Sequence, residues 1–151
     1  MLAKPIISFF LMALGVTNIQ LAQDRSMNQV RMFVKDAHEL DSTLSYTSTY
    51  SYALLEGSDL QVYSESEMSQ IEKVIIEAKI FETGSVDESK VNIHIKSNGK
   101  WYNSFKSDDF KFEIEKYDLD KREIIGHFEF EATNPDLEIL SLSKGVFKAR
   151  F

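Results

Sequence analysis

The residues best suited to binding chemistry surround the single tryptophan of the chain. Alternation along two predicted strands places Asn92, His94, Lys96, Trp101 and Phe105 on one side, and Asn103 lies opposite His94. The predicted ligand-binding residues are Asn92, His94, Trp101, Asn103 and Phe105. A flat aromatic ring beside amide and imidazole groups can stack on an apolar surface while its neighbours form hydrogen bonds, as a sugar or a peptide segment requires. The alternative is that Trp101 and Phe105 pack under the N-terminal segment or a second sheet, because aromatic residues most often belong to a core.

Two histidines and two glutamates raise the question of a metal site. His94 and His127 both point away from the clearest apolar faces of their predicted strands, and Glu113 and Glu129 lie close to His127. Imidazole and carboxylate groups together are ligands for several divalent metals. Nothing in the sequence brings the two histidine strands together, so ordinary exposed histidines are the simpler interpretation. We predict neither a metal nor a cofactor.

Known catalytic motifs are absent from the sequence. It contains no Gly-x-Ser-x-Gly, no His-Glu-x-x-His, no glycine-rich phosphate loop and no cysteine. The acidic turns 107–109 and 118–120 resemble fragments of calcium loops but lack the spacing and the glycine of an EF-hand. We therefore predict that the protein is not an enzyme. A catalytic alternative would need two acids, such as Glu113 and Glu129, to converge in one cleft.

Composition excludes several classes of partner. The formal net charge of −7 over 151 residues opposes binding to nucleic acid, whose phosphates need a basic surface. The absence of cysteine excludes disulfides, thiol catalysis and a lipoprotein anchor. A hydrophobic fraction of 43%, with eleven phenylalanines and six tyrosines, predicts a folded chain with a sizeable core.

The first 22 residues have the pattern of a secretory signal peptide. Lys4 precedes an apolar run over 6–16, and Ala22 is a small residue at the predicted cleavage point. The alternative is a buried N-terminal helix or an uncleaved anchor, although the run is short for a bilayer span. We predict a signal peptide over 1–22 and a single antiparallel β domain over 23–151. The mature domain would then be periplasmic or secreted, without a stable membrane anchor.

The segment after the predicted signal peptide is ambiguous. Ser26 and Gln29 fit a capping box, and apolar residues then recur at helical spacing. This pattern predicts a short helix over 27–40. Apolar residues also alternate over 30–34, so a strand is the competing interpretation.

The sharpest turn pattern in the chain is Asn98-Gly99. Asn-Gly between alternating segments is the favoured two-residue hairpin turn, because both positions need positive φ. It predicts that Lys96 faces Trp101 and that His94 faces Asn103.

A second hairpin is predicted over 110–132, where phenylalanines alternate with charged residues. A five-residue loop over 118–122 pairs Phe112 with Phe128, and a shift by one residue would reverse the direction of every side chain. The outer side then carries several glutamates, which either face water or attract a cationic partner.

A third hairpin is predicted at the end of the chain. Residues 138–143 would pair with 146–151 around a turn at Lys144-Gly145, so that Leu142 meets Phe147. The three hairpins have mutually consistent apolar faces. The sum is eight or nine strands with short connections, which predicts a mainly β fold, either an antiparallel β-sandwich or a small barrel.

The C-terminal strands also resemble a known family. The segments 112–118, 125–132 and 144–147 contain Phe-Glu-Ile, Ile-Gly-His-Phe-Glu-Phe-Glu-Ala and Lys-Gly-Val-Phe. They are similar to the C-terminal half of a family of short secreted proteins and lipoproteins of unknown function from Bacteroidota, in which an Ile-x-Gly-x-Phe-x-Phe strand precedes a Gly-x-Phe strand. The resemblance covers the last quarter of the chain and implies an exported protein. Many of those relatives carry a lipobox cysteine, which this chain lacks, and the family supplies no catalytic residues.

These observations predict a small exported β domain without catalytic machinery. Its role would be to bind a protein or a glycan of the cell envelope. The alternative is a lipocalin-like carrier of a small apolar ligand, which the phenylalanine content favours and which requires an enclosed cavity.

Overall fold

The computed structural model describes residues 28–36, 43–105 and 107–151. These residues form eleven strands, more than the eight or nine predicted, because the sequence predicts a helix over 27–40 and short strands such as Gly84–Ser85 have no clear alternation. They also form one 3-10 turn at Glu88–Lys90, and they include no α-helix and no helix able to cross a membrane. In chain order the strands are β1 (Gln29–Asp36), β2 (Thr43–Thr47), β3 (Tyr50–Glu56), β4 (Asp59–Glu65), β5 (Ile71–Lys79), β6 (Gly84–Ser85), β7 (Val91–Ser97), β8 (Lys100–Ser104), β9 (Lys111–Asp118), β10 (Glu123–Thr133) and β11 (Ile139–Arg150). The predicted mainly β, antiparallel fold class is confirmed.

All strands belong to one antiparallel sheet with the order β2-β1-β11-β10-β8-β7-β5-β4-β3. The first part of β10 pairs with β9, and the end of β10 pairs with β8. The short strand β6 pairs with the other edge of β9. We call β3, β4, β5, β7 and β8 the arm, and β1, β9, β10 and β11 the trunk. Only Ser48 and Thr49 separate the two edge strands β2 and β3, and the sheet curls into a half-barrel.

The inner side of the sheet holds one continuous apolar core whose composition differs between arm and trunk. Strand alternation directs every second side chain inward. In the trunk the core combines aliphatic residues with four phenylalanines, Phe112, Phe128, Phe130 and Phe147, which are at most 2% exposed. In the arm the core is aliphatic except for one tyrosine. Its buried residues are Ala53, Leu60, Val62, Ile71, Val74, Ile76, Ala78, Val91, Ile93, Ile95 and Tyr102.

Two glycines make room for two of the trunk phenylalanines. Gly126 on β10 lies directly opposite Phe147 on β11, and Gly145 on β11 lies opposite Phe128 on β10. A Cβ atom at Gly126 would meet the Phe147 ring at 2.4 Å, and one at Gly145 would meet the Phe128 ring at 2.1 Å. Each ring therefore occupies the space that a side chain on the neighbouring strand would need. This reciprocal contact explains why Gly-x-Phe occurs in both strands.

The predicted Asn98-Gly99 hairpin is confirmed. The two residues have φ values of 49° and 77°, as the favoured two-residue turn requires. Lys96 faces Trp101, and the other pairs between β7 and β8 follow the same register. The local turn chemistry alone was therefore enough to fix this part of the arm.

The second hairpin has the predicted register but a different loop. Phe112 faces Phe128 as expected, yet the loop contains only the four residues 119–122. Glu115 is skipped by the strand pairing and forms a β-bulge. The extra residue in the strand offsets the missing residue in the loop, so the pairing beyond the bulge is unchanged.

The third predicted hairpin is wrong. Residues 139–150 form the single strand β11, in which Leu142 faces Phe130 and not Phe147. Lys144 has φ 50°, and Lys144-Gly145 forms a bulge at which the register with both β1 and β10 shifts by one. The physical reason is that β1 and β10 offer backbone partners along the whole of β11, which a tight turn would sacrifice.

The helix predicted over 27–40 is wrong for the part that the structure describes. Residues 29–36 form β1, which pairs with β2 and β11. The inward residues Val30, Met32 and Val34 are at most 3% exposed, in agreement with the alternation that competed with the helix. Pairing on both strand edges overrides the local helical spacing. Residues 37–40 and the predicted signal peptide over 1–22 lie outside the described residues.

Candidate functional site

The outer side of the arm aligns side chains from five strands. The pairs Asn103–His94, His94–Ile75, Ile75–Tyr63 and Tyr63–Tyr52 follow one another across β8, β7, β5, β4 and β3. They form one row, which is about 19 Å long because neighbouring strands lie about 4.8 Å apart.

Two further rows flank this one. The row on one side contains Trp101, Lys96, Lys73, Glu65 and Tyr50. The row on the other side contains Asn92, Glu77, Gln61 and Leu54. We call the three rows together the aromatic face.

Three tyrosines and the tryptophan distinguish the aromatic face from the rest of the outer surface. The rings of Tyr52 and Tyr63 stack with centroids 5.0 Å apart and an interplanar angle of 22°. Tyr50 meets Tyr52 edge-on at 6.2 Å. Trp101 is 42% exposed and lies at the opposite end of the face, on β8. Apolar ring surface is thus available at both ends of the arm.

An ion pair fixes the tyrosine end of the face. Lys73 Nζ donates to the Tyr63 hydroxyl at 3.0 Å and lies 2.9 Å from Glu65, and the Tyr63 hydroxyl donates to Glu65. The bond to Glu65 raises the pKa of Tyr63, and the bonds from Tyr63 and Lys73 lower the pKa of Glu65. The bonds to Tyr63 and Glu65 raise the pKa of Lys73. All three groups therefore keep their ordinary charge states at neutral pH, and none is prepared to transfer a proton.

Glu72 fixes the tryptophan end of the face. Its carboxylate lies 2.9 Å from Lys96 Nζ and accepts the Gly99 N–H at 2.7 Å. The bond from Lys96 and then that from Gly99 lower the pKa of Glu72. Glu72 is the extra residue of a bulge in β5, which lets its side chain reach the turn between β7 and β8. The hairpin that presents Trp101 is thereby attached to the middle of the arm.

A chain of hydrogen bonds connects the row of Asn92, Glu77 and Gln61 to the row of His94 and Asn103. Gln61 Nε2 donates to Glu77 Oε1 at 3.2 Å, and Glu77 Oε2 lies 3.4 Å from His94 Nε2. His94 Nδ1 in turn lies 2.6 Å from Asn103 Oδ1. A side-chain amide has two donor hydrogens and an acceptor oxygen, so Gln61 and Asn103 have bonding capacity beyond this chain.

A cleft of about 590 Å³ opens beside the third row. Its lining comes from the last residues of β3 and β5, from the first residues of β4 and β7, and from the 3-10 turn that precedes β7. The lining residues are Leu54, Glu56, Asp59, Leu60, Gln61, Glu77, Ala78, Lys79, Ser89, Lys90 and Asn92. Sites for small ligands typically enclose about 300–1,000 Å³, so the cleft is large enough for one.

Comparisons with family models, with curated proteins and with solved structures find no match to this chain. The resemblance to the secreted Bacteroidota family therefore stays a prediction. A role for the aromatic face has to be argued from its own geometry.

Four of the five residues predicted to bind a ligand lie on the aromatic face. His94 and Asn103 are in direct contact, Asn92 lines the cleft, and Trp101 ends the neighbouring row. Phe105 lies beyond the end of β8 and is half-buried, with its backbone N–H bonded to a carbonyl of β10 at 3.3 Å. It falls outside the three rows.

Sequence reasoning missed the residues that β4 and β5 contribute. Gln61, Tyr63 and Glu77 lie in the centre of the face, and Tyr52 stacks on Tyr63. Alternation with the buried Leu60 did indicate that the odd-numbered positions of β4 point outward. What the sequence lacked was the register between β4, β5 and β7, which depends on pairing between strands whose connections have no fixed turn type.

A smaller cleft of about 370 Å³ lies on the outer side of the trunk, and both Glu113 and Glu129 line it. Lys111 Nζ lies 3.5 Å from Glu129, and His127 bonds to Glu115. His94 has its own partners on the arm. Within residues 28–36, 43–105 and 107–151, no group of three acidic or histidine side chains is arranged to hold a metal ion.

Proposed function

We propose that this protein is an exported, non-catalytic binding domain that uses the aromatic face of the arm to hold a protein or glycan of the cell envelope. The observation that carries the proposal is the placement of aromatic residues. The arm turns Tyr50, Tyr52, Tyr63 and Trp101 to the outer side, and its inner side is aliphatic except for Tyr102. In the trunk four phenylalanines are buried on the inner side, and Phe33 is the exposed aromatic residue of the outer side.

Aromatic rings held in ordered positions at a surface, here the exposed Trp101 and the half-buried Tyr50, Tyr52 and Tyr63, are typical of recognition surfaces. Tyrosine and tryptophan contribute large contact areas and few rotatable bonds, and they are enriched among residues that dominate binding energy. On the arm, stacking orders Tyr52 and Tyr63, and Lys73 bonds to the Tyr63 hydroxyl. Glu72 bonds to Lys96 and so orders the hairpin that carries Trp101. A partner would therefore meet a surface that is already ordered, which reduces the entropy cost of binding.

The two carboxylates considered for catalysis, Glu113 and Glu129, lack the surroundings of a general acid. A carboxyl group that acts as a general acid normally has a raised pKa, which requires burial or a like charge nearby. Glu113 and Glu129 share a cleft, but Glu113 is exposed and Glu129 is paired with Lys111. On the arm, hydrogen bonds lower the pKa values of Glu65 and Glu72, which opposes a role for either as a general acid.

The alternative function, a lipocalin-like carrier, receives less support. The curled sheet favours a barrel over a sandwich, because its edge strands are only two residues apart in the chain. However, the inward side chains of arm and trunk pack into one continuous apolar cluster. The clefts of about 590 and 370 Å³ are both lined largely by outer-side residues.

The experiment compares two variants in capture from an envelope extract. Trp101 and Phe33 are both 42% exposed, but Phe33 lies on β1 in the trunk. We expect Trp101→Ala to lose the captured partner while Phe33→Ala retains it, with both proteins folded by circular dichroism. Equal capture by the two variants would refute the proposal.

The export component of the proposal has a separate test. N-terminal sequencing of the protein recovered from the periplasm or the medium should begin at residue 23. Recovery of the intact chain only from the cytoplasm would contradict export without bearing on the aromatic face.

A further inference from the structure

We propose that the cleft beside the aromatic face, lined by Gln61, Glu77 and Asn92, is a binding site for an uncharged oligosaccharide. This inference rests on the proposed binding function and names its ligand class. The cleft and the row that contains Tyr52 and Tyr63 form one continuous surface, since Gln61 and Tyr63 are alternate residues of β4.

The polar groups at the base of the cleft match hydroxyl groups. A sugar hydroxyl both donates and accepts, so its site needs donors and acceptors close together. Gln61 and Asn92 supply amide groups of both kinds, and Glu77 supplies an acceptor. Glu77 is held in place by Gln61 on one side and by His94 on the other. The acceptor is thus oriented before a ligand arrives, as an effective hydrogen-bonding site requires.

The charges around the cleft favour a ligand without charge. Three carboxylates (Glu56, Asp59 and Glu77) face two ammonium groups (Lys79 and Lys90). Lys79 lies 4.0 Å from Asp59, and Lys90 lies 5.6 Å from the Phe81 ring. Charges of both signs spread around the rim create no strong field of one sign, so neither an anion nor a cation is preferentially attracted.

A sugar site also needs an apolar surface, and Leu54 and Tyr52 supply one beside the cleft. The carbon-bound hydrogens of a pyranose ring form an apolar surface that stacks on aromatic or aliphatic groups. Leu54 is 52% exposed at the wall of the cleft, and Tyr52 is the next outward residue of the same strand. The neighbouring row lies about 7 Å away, two residues along the strand. A short oligosaccharide could place one ring against Leu54 in the cleft and the next along the outer edges of the Tyr52 and Tyr63 rings, whose faces stack on each other.

A peptide is a poorer fit to this site. Extended peptides are commonly bound by pairing with the free backbone of an edge strand. The base of the cleft comes mainly from β4, β5 and β7, and each of these strands already pairs with a neighbour on both sides. Only side chains are available there, as in a glycan site.

The test is a glycan array probed with the full mature chain. The array carries uncharged gluco-, galacto-, manno- and N-acetylglucosamine oligosaccharides, together with anionic uronates and extended peptides as comparisons. We expect binding to at least one uncharged oligosaccharide. Gln61→Ala should weaken that binding by about tenfold, the equivalent of one net hydrogen bond. Gln70→Ala is the matched control, because Gln70 is an exposed glutamine in the loop between β4 and β5.

Each result decides the inference. Binding to no uncharged oligosaccharide, or preferential binding to uronates or peptides, would overturn it. Equal weakening by Gln61→Ala and Gln70→Ala would also overturn it. Asn92→Ala, on a different strand of the same cleft, should weaken binding as well, and unchanged binding by this variant would indicate that Gln61→Ala acts through a local folding defect. The proposed function can survive such a failure, because envelope capture that depends on Trp101 does not require the cleft.

Discussion

The arm and the trunk obey the same alternation, but most aromatic residues of the arm lie on the outer side of the sheet and four phenylalanines of the trunk lie on the inner side. In the trunk Phe112, Phe128 and Phe147 point inward and are at most 2% exposed. In the arm the inward positions are mainly valine, isoleucine and alanine, whereas Tyr52 and Trp101 are on the outer side. The strand period is the same in both regions, so the contrast lies in residue choice.

This contrast separates folding from recognition. A ring buried in a core removes about 150–250 Å² of surface from water, which makes aromatic residues the largest contributors to a core. A ring on the outer side keeps much of its contact with water and contributes less to stability. We infer that the trunk supplies much of the folding free energy, while the arm can tolerate change on its outer side. The following substitutions test this inference, from the largest expected effect to the smallest.

Truncation of a trunk phenylalanine should have the largest effect. Phe128 is 1% exposed and covers the backbone at Gly145. Phe128→Ala should lower the free energy of unfolding by about 3–5 kcal/mol, because it leaves a cavity. Tyr52→Ala in the arm should lower it by only about 1–2 kcal/mol, because it removes two aromatic contacts on the outer side and leaves no cavity in the core. Urea denaturation followed by circular dichroism measures both, and similar losses would remove the distinction between the two regions.

The glycines should also behave differently in the two regions. Gly145→Ala would place a methyl group inside the Phe128 ring and should cost about 1–3 kcal/mol through overpacking. Gly57, in the arm, has φ 62° and open space around it, so Gly57→Ala should cost about 1–2 kcal/mol through backbone strain alone. A smaller side chain, Phe128→Leu, should recover part of the loss in Gly145→Ala and none in Gly57→Ala. Denaturation of the two double variants makes the comparison, and equal recovery would show that space is not what Gly145 provides.

A carboxylate should give the trunk a distinct response to acid. Glu123 has a side chain that is 7% exposed, and it lies 2.7 Å from Lys116, 3.1 Å from Arg150 and 3.3 Å from Lys148. These bonds, chiefly that from Lys116, lower the pKa of Glu123 to about 2. A carboxyl group with a lower pKa in the folded state stabilises the fold above its unfolded pKa, near 4.3. That stabilisation is lost as the pH falls through the folded pKa.

Glu123→Gln should therefore be less stable than the unmodified protein at pH 7, by about 2 kcal/mol. The difference should shrink below pH 4.3 and be nearly gone at pH 2. Denaturation curves at several pH values would show this convergence. The matched variant in the arm is Glu65→Gln, whose ion pair with Lys73 is more exposed and should matter less. A constant difference between pH 7 and pH 2 would mean that the Glu123 charge is not the cause.

Two similar sequence patterns show how far local reasoning reaches. Asn98-Gly99 in the arm is a turn, whereas Lys144-Gly145 in the trunk is a bulge inside β11. Asparagine adopts positive φ more readily than lysine, and the segments beside Asn98 pair with each other. The segments beside Lys144 instead pair with β1 and β10, which are distant in sequence. Local patterns thus predicted two of the three hairpins. The wrong predictions, the third hairpin and the helix over 27–40, arose where the pairing partners are distant in sequence.

The same limit applies to the candidate site. Asn92, His94 and Trp101 could be placed on one side of a hairpin because the Asn-Gly turn set their register. Tyr63 and Glu77 join them only through the pairing of β4 with β5 and of β5 with β7. The connections between these strands have no fixed turn type, so no single segment encodes their register.

Trp101 should show the smallest effect on stability. It is 42% exposed and is the single tryptophan of the chain, so its fluorescence reports on one end of the aromatic face. Trp101→Ala should change the free energy of unfolding by less than about 1 kcal/mol, because the site is on the surface. Acrylamide should quench the folded protein, although less than the unfolded chain. An unquenched, blue-shifted emission would show that Trp101 belongs to a covered surface, and the arm would then use its tryptophan as the trunk uses its phenylalanines.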